Sequence, residues 1–281
     1  MPYSTILVTG ASGLLGSNIV KRGAEEGRKM RGLVRREEDA QILRSLGVEP
    51  AIGDLTDPES LRNAMRGCDG VIHAGAVIGG TWSTITEQEF EDVNYLGSGN
   101  VMDAAEAAGV ERILIVSTEG ILDRSQTITE RTPLIDVGGW TGPYQKAKLG
   151  GYYDAMRRAV RGANLAIMCP GGIYGPSPFV ERAIHPSQWN GAMLRGIRGE
   201  LTRYAKYPFT WPFIEDSARI ALGALDNDRV GARYLSVGRP EDSMSLAELI
   251  NIACELAGSP HRVEDITPEQ LEKEVGTMSV I

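Results

Sequence analysis

Near its start the chain runs from a short apolar segment through three glycines into an amphipathic segment. That order constrains the fold more than any other feature. Thr5-Ile6-Leu7-Val8-Thr9 is apolar and rich in β-branched residues, which reads as a buried strand. Gly10, Gly13 and Gly16 follow at spacing three, and Leu14, Leu15, Ile19 and Val20 recur with a helical period. Strand, glycine turn and helix in this order are what a dinucleotide site requires. Glycine permits the tight turn and the close approach of a phosphate, and the first amides of the helix bind the anion. Gly10, Ser12, Gly13, Leu14, Leu15 and Gly16 are therefore candidate cofactor contacts. An ordinary glycine-rich turn would not need both flanking elements. The spacing is Gly-x-x-Gly-x-x-Gly, not the commoner Gly-x-Gly-x-x-Gly.

The next strand bears on which dinucleotide. Met30 to Val34 reads as strand and ends in Arg35-Arg36, with Glu37 the first acid beyond. An NAD site places Asp or Glu here for the ribose 2′-hydroxyl, whereas an NADP site places Arg for the 2′-phosphate. Two guanidiniums suit a phosphate. NADP(H) is the expected cofactor, ahead of NAD(H). A solvated strand end is the plainer reading, weightier for Arg36 than for Arg35.

The alternation continues along the chain. Strands are expected at 5–9, 30–34, 48–52, 70–73, 112–117 and 164–169, with helices near 13–26, 38–46, 58–66, 87–108 and 144–161. This is an α/β chain, a doubly wound parallel sheet of Rossmann type with its ligand at the carboxyl ends of the strands. Residues 1–170 should form the dinucleotide-binding domain, with 210–237 returning to it through a strand near 232–237. Residues 171–209 and 238–281 should form a small C-terminal substrate cap. Ser245-Leu246-Ala247-Glu248 is a capping box and predicts a helix over 246–257. Trp189, Tyr204, Tyr207, Phe209, Trp211 and Phe213 are either a substrate wall or the core of this cap.

Tyr144 and Lys148 stand four apart and would share one helix face. A cation near a phenol favours phenolate and lowers its pKa, which tunes the tyrosine for proton transfer. Alone, the pair equally fits a surface helix. Gly150-Gly151 inside the same helix costs about 1 kcal/mol per glycine relative to alanine. Close approach of a second copy, or crowding within the chain, would account for them.

Taken together, these residues resemble the extended short-chain dehydrogenase/reductase family, also called the NAD-dependent epimerase/dehydratase family. Thr9 to Gly16 resembles its cofactor loop. Gly53-Asp54-Leu55-Thr56-Asp57 is similar to its adenine-contacting segment, with Asp54 and Leu55 at the contact positions. Val71-Ile72-His73-Ala74-Gly75-Ala76 resembles the strand and turn beneath the cofactor, which implies contacts at Ala74, Gly75 and Ala76. Asn94-Tyr95-Leu96-Gly97 matches the family's Asn-x-x-Gly, and Ile115-Val116-Ser117-Thr118 the strand end with its catalytic Ser or Thr. Tyr144 and Lys148 match the Tyr-x-x-x-Lys pair. Pro170-Gly171-Gly172-Ile173-Tyr174-Gly175-Pro176 resembles the segment bordering the nicotinamide, implying Pro170, Gly171 and Ile173. The resemblance covers residues 4 to about 240. Cys169 stands where the family usually has Arg, and Phe213-Ile214-Glu215-Asp216 where it often has Val-His-Val-Asp-Asp. Thr118-Glu119-Gly120 lacks the second acid of the family's dehydratases, which argues against dehydration.

The resemblance implies a mechanism. Tyr144 donates a proton to a developing alkoxide, Thr118 holds the same oxygen with Ser117 in reserve, and Lys148 grips the nicotinamide ribose and lowers the Tyr144 pKa. Asn94 steadies the helix or an ordered water. The expected function is an NADP-dependent oxidoreductase acting on a ketone or secondary alcohol, with a flat or apolar substrate suggested by the aromatic stretch. A nucleotide-sugar epimerase with tightly bound NAD(P) is the alternative, for which Arg182, Arg195, Arg198 and Arg203 could hold the diphosphate. A non-catalytic dinucleotide sensor ranks third, since such proteins usually lose the Tyr/Lys pair. The family's habit implies a homodimer.

Composition removes other classes. The 281 residues carry a net charge of −8 and no Lys/Arg run longer than two, so no nucleic-acid partner is expected. No apolar run approaches the roughly 20 residues that span a bilayer, so no membrane partner is expected. The first strand begins by residue 5, which leaves no room for a signal peptide. Cys68, Cys169 and Cys254 are scattered, and so are His73, His185 and His261. A reduced, cytoplasmic setting, no metal and a small-molecule substrate are expected.

Overall fold

In the structure, a computed structural model describing residues 3–79, 84–136, 142–267 and 269–270, every expected strand joins one parallel sheet. The strands are β1 (Thr5–Thr9), β2 (Lys29–Val34), β3 (Glu49–Ile52), β4 (Gly70–His73), β5 (Arg112–Val116), β6 (Leu165–Pro170) and β8 (Arg233–Ser236), in the order β3-β2-β1-β4-β5-β6-β8. The order reverses between β1 and β4, so a crevice opens at their carboxyl ends.

Period-two patterning explains why helices cover both faces. Ile6, Val8, Ile72, Leu114, Val116 and Met168 pack beneath Ile19 and Val20 of α1 (Leu14–Glu25), Leu43 of α2 (Glu37–Ser45) and Ala221 and Leu225 of α9 (Ile214–Asp226). Leu7, Leu33, Val71, Ile113, Ile115 and Ile167 point the other way. They meet Leu61 and Met65 of α3 (Pro58–Met65), Val101 and Met102 of α5 (Gly97–Ala108) and Ala155 of α6 (Pro143–Val160).

The helix expected over 87–108 is divided. A short α4 (Glu87–Glu89) opens on a Thr86/Glu89 capping box, Phe90–Leu96 winds as a π-helix, and α5 completes it. Asn94 lies in this π turn and is fully buried, and such turns are frequent beside functional sites. Crowding within the chain accounts for one glycine of α6: a Cβ on Gly150 would stand 3.0 Å from the Tyr95 ring, whereas one on Gly151 would make only ordinary contact, 3.7 Å from the Asn94 carbonyl oxygen.

A second, smaller layer is built from α7 (Val180–Ala183), α8 (Trp189–Ile197), α10 (Leu246–Leu256) and a two-stranded parallel pair, β7 (Arg203–Ala205) with β9 (Glu264–Ile266). The Ser245/Glu248 capping box forms and starts α10 as expected. Neither β7 nor β9 carries a strand pattern long enough to read. The expected cap's residues 268 and 271–281 lie outside the described residues. Among the described residues no helix is long and apolar enough to cross a membrane.

Candidate active site

The glycine loop leaves β1 with Gly10 at φ +67°, and a Cβ there would lie 2.6 Å from the Gly75 Cα. Only glycine allows that backbone and that approach of the β1 and β4 loops. Gly13 caps α1 without a side chain, so the first-turn amides of α1 stay open to an anion.

One cavity of about 620 Å³ runs from this loop along the strand ends. Gly10, Ser12, Gly13, Leu14, Leu15, Gly16, Arg35, Asp54, Leu55, Ala74, Gly75, Ala76, Ser117, Thr118, Tyr144, Lys148, Pro170, Gly171 and Ile173 all line it. Two expected residues do not. Arg36 is the N-cap residue of α2 and its side chain, 62% exposed, turns to Asp39 at 3.5 Å, because its Cβ leaves the strand end on the far side from Arg35. Asn94 is fully buried beneath the wall: its Oδ1 accepts from Val77 N–H and its Nδ2 donates to the Val77 carbonyl, both at 2.9 Å. It therefore braces the segment after β4.

Asp54 accepts from the Thr56 amide and hydroxyl. Burial pushes its carboxyl up, but those donors and the charge of Arg35 outweigh it and hold it below the usual range. Residues contacting adenine and phosphate in the expected scheme thus lie side by side. The tight turn and the open helix end suit the phosphates of a dinucleotide.

At the other end, the Thr118 hydroxyl accepts from the Gly120 amide at 3.1 Å, so it caps the turn after β5, and Thr118 and Tyr144 line the same cavity. Tyr144 is half-buried against Phe90, ring centroids 5.9 Å apart at 73°. Lys148 is 6% exposed and its Nζ donates to the Val116 carbonyl at 3.1 Å. The expected lowering of the Tyr144 pKa does not occur in this state. Burial pushes the phenol up to about 12, opposed by the neighbouring Thr118 hydroxyl and reinforced by the Glu119 charge. Burial also brings Lys148 down to about 8. Desolvation opposes charge on both groups, and the ammonium spends a donor on a backbone carbonyl instead of the phenol.

The structure places three sets of residues whose position the sequence left open. Glu119 is buried on the cavity wall, and burial raises its pKa although it pairs with Arg124, whose Nε donates at 3.0 Å. Trp189, Phe209 and Trp211 form a cluster with centroids 5.3–5.8 Å apart, and Trp189, Phe209 and Tyr204 face the cavity while Trp211 is core. Phe213 packs on Tyr174, and Tyr207 is exposed. Of the four arginines proposed for a sugar diphosphate, only Arg182 lines the cavity, and it does so at the glycine loop. Among the described residues no group of three or more His, Cys, Asp or Glu could hold a metal.

A doubly wound sheet with this loop and a Tyr-x-x-x-Lys pair on one cavity defines an NAD(P)-dependent enzyme of the extended short-chain dehydrogenase/reductase class. The chain belongs to the NAD dependent epimerase/dehydratase family, whose pattern matches residues 6–238. It is 30% identical over 276 residues to Sterol demethylase protein B of Methylococcus capsulatus, covering 95% of this chain and 79% of that protein. It is 38% identical over 145 residues to a 4-hydroxy-2-methyl-3-oxo-4-farnesyl-3,4-dihydroquinoline-1-oxide ketoreductase of Stigmatella aurantiaca, covering 52% of this chain and 40% of that one. The crystal structure of gox2253 superposes with a TM-score of 0.81 at 26% identity, covering 98% of this chain and 84% of that one.

Proposed function

We propose that this chain is an NADP-dependent oxidoreductase that moves a hydride between nicotinamide and a flat, apolar ketone or secondary alcohol. The observation that carries it is the shared cavity: Thr118 and Tyr144 open onto the space that Trp189, Tyr204 and Phe209 wall. A bound reduced nicotinamide supplies the hydride. Tyr144 gives its proton to the carbonyl oxygen as that oxygen gains charge, Thr118 holds the same oxygen, and Lys148 grips the ribose. Arg35 receives the 2′-phosphate. Residues 171–209 and 238–281 serve as the substrate cap. The names of the two relatives, a sterol demethylase component and a ketoreductase of a farnesylated quinoline, agree with an apolar ring substrate. The reading includes action in the cytoplasm and a homodimer. Leu96, Tyr153 and Val160 are exposed apolar side chains that a second copy would cover, and sedimentation velocity tests this.

A nucleotide-sugar epimerase would need cations near the substrate's diphosphate. Arg195, Arg198 and Arg203 do not line the cavity, and Arg124 is matched by Glu119. A panel of sterol-like and flavonoid-like ketones, followed by NADPH absorbance, tests the proposal. Stoichiometric NADPH consumption is expected. Inversion of a UDP- or GDP-sugar with no net change in NADPH would overturn it.

A further inference from the structure

Arg182 reaches the cofactor loop from the segment that follows β6. Its Nη1 donates to Ser12 Oγ in the glycine loop and its Nη2 to Asp39 Oδ2 on α2. The Asp39 side chain is 5% exposed and also faces Arg36. Two guanidiniums thus meet one buried carboxylate. Arg35 lines the same cavity as Ser12 and Arg182, with Asp54 as the acid it acts on, so three guanidiniums stand against two carboxylates and one positive charge is left over. A guanidinium has five N–H donors, and these two contacts use two of them. The Arg182 guanidinium lies 6.0 Å from the Phe179 ring centroid, and its side chain is 32% exposed, so the remaining donors are not sealed away.

We infer that Arg182 is a ligand of the cofactor's 2′-phosphate, which Arg35 reaches from the end of β2 and Arg182 from the segment after β6. The inference rests on the NADP reading above and goes beyond it, because the second guanidinium comes from outside the strand end where NADP sites carry theirs. A phosphate bears up to two charges and accepts forked pairs from arginine, so it can use the excess that Asp39 leaves. Asp39 then acts as the positioning residue that aims Arg182. A ribose hydroxyl, as in NAD, offers no charge to match it.

Calorimetry on the full chain tests this with NADPH, NADH and 2′,5′-ADP, using Arg182→Met, which keeps the apolar stem, and Arg182→Lys, which keeps the charge but loses the fork. Arg182→Met is expected to weaken NADPH and 2′,5′-ADP by about ten- to a hundredfold and to leave NADH within about twofold. Arg182→Lys should fall between. Amide exchange over 179–184 should slow with NADP⁺ and not with NAD⁺. Should Arg182→Met melt far below the parent, Arg182→Lys and the exchange measurement carry the test alone. Equal losses for NADPH and NADH, or no loss for either, would overturn the assignment and leave Arg182 a tie to Asp39. A parent protein that binds NADPH and NADH equally would instead sink the NADP reading itself.

Discussion

Replacing Asn94 with alanine asks whether this side chain is a clamp or a catalyst. The carboxamide is fully buried and satisfies both backbone groups of Val77 at 2.9 Å. Alanine strands one N–H and one C=O. Each buried polar group left unpaired costs about 1–3 kcal/mol, and because Val77 is only half-buried the lower part of that range applies to each. The expected loss is about 2–4 kcal/mol, a fall in Tm of roughly 5–12 °C for a chain of this size. Val77 lines the cavity, so KM should rise more than kcat falls. Guanidinium unfolding followed by circular dichroism gives the stability, and initial rates give the kinetic split. A variant within about 0.5 kcal/mol of the parent whose kcat has dropped a hundredfold would refute the clamp and place Asn94 in a proton relay.

Three further outcomes follow from the same geometry. Tyr144→Phe removes only the hydroxyl and should lower kcat by about 10²–10⁴-fold with cofactor affinity and fold intact, whereas Lys148→Met should also weaken cofactor binding; a Tyr144→Phe enzyme keeping a tenth of parent turnover would exclude it as the proton donor. Arg35→Ala should weaken NADPH by about ten- to a hundredfold and leave NADH nearly unchanged, as calorimetry can check. His73 is fully buried between Thr9 and Ser98 hydroxyls, and burial, with the Lys148 charge, holds it neutral down to about 3 from its ordinary 6.5. Its unfolded form binds the proton first, so its contribution is full above pH 6.5 and is lost toward pH 3 by roughly 1.4 kcal/mol per unit. Urea melts across that window should show a shallower slope for His73→Gln, and an unchanged slope would count against the buried neutral imidazole.

Most of the sheet was legible in the sequence because its signals are local. Each strand is a short apolar run, each covering helix repeats with period 3.6, and a chain that alternates them admits one common topology. Gly10, Gly13 and Gly16 were legible for the same reason: a turn against a helix end is decided within a dozen residues. Even the Ser245/Glu248 cap is a four-residue statement, and it forms as written. The continuous helix over 87–108 was the exception, since a π turn leaves a nearly unchanged apolar pattern, and Asn94 lies buried within it.

What tertiary structure alone decided are the pairings across long separations and the state of the groups they bury. Arg182 meets Ser12 and Asp39 from more than 140 residues away, and nothing in its neighbourhood distinguishes it from Arg198, which is exposed. The aromatic stretch split between cavity wall and core, with Phe209 facing the cavity and Trp211 behind it. Tyr144 and Lys148 were read as a phenol tuned by an ammonium, yet burial moves each away from its charged form and Lys148 bonds Val116. Periodicity states that a face is covered, not what covers it. Desolvation and long-range charge depend on that second fact, so the chain's fold was written locally and the chemistry of its cavity was settled only when distant segments packed together.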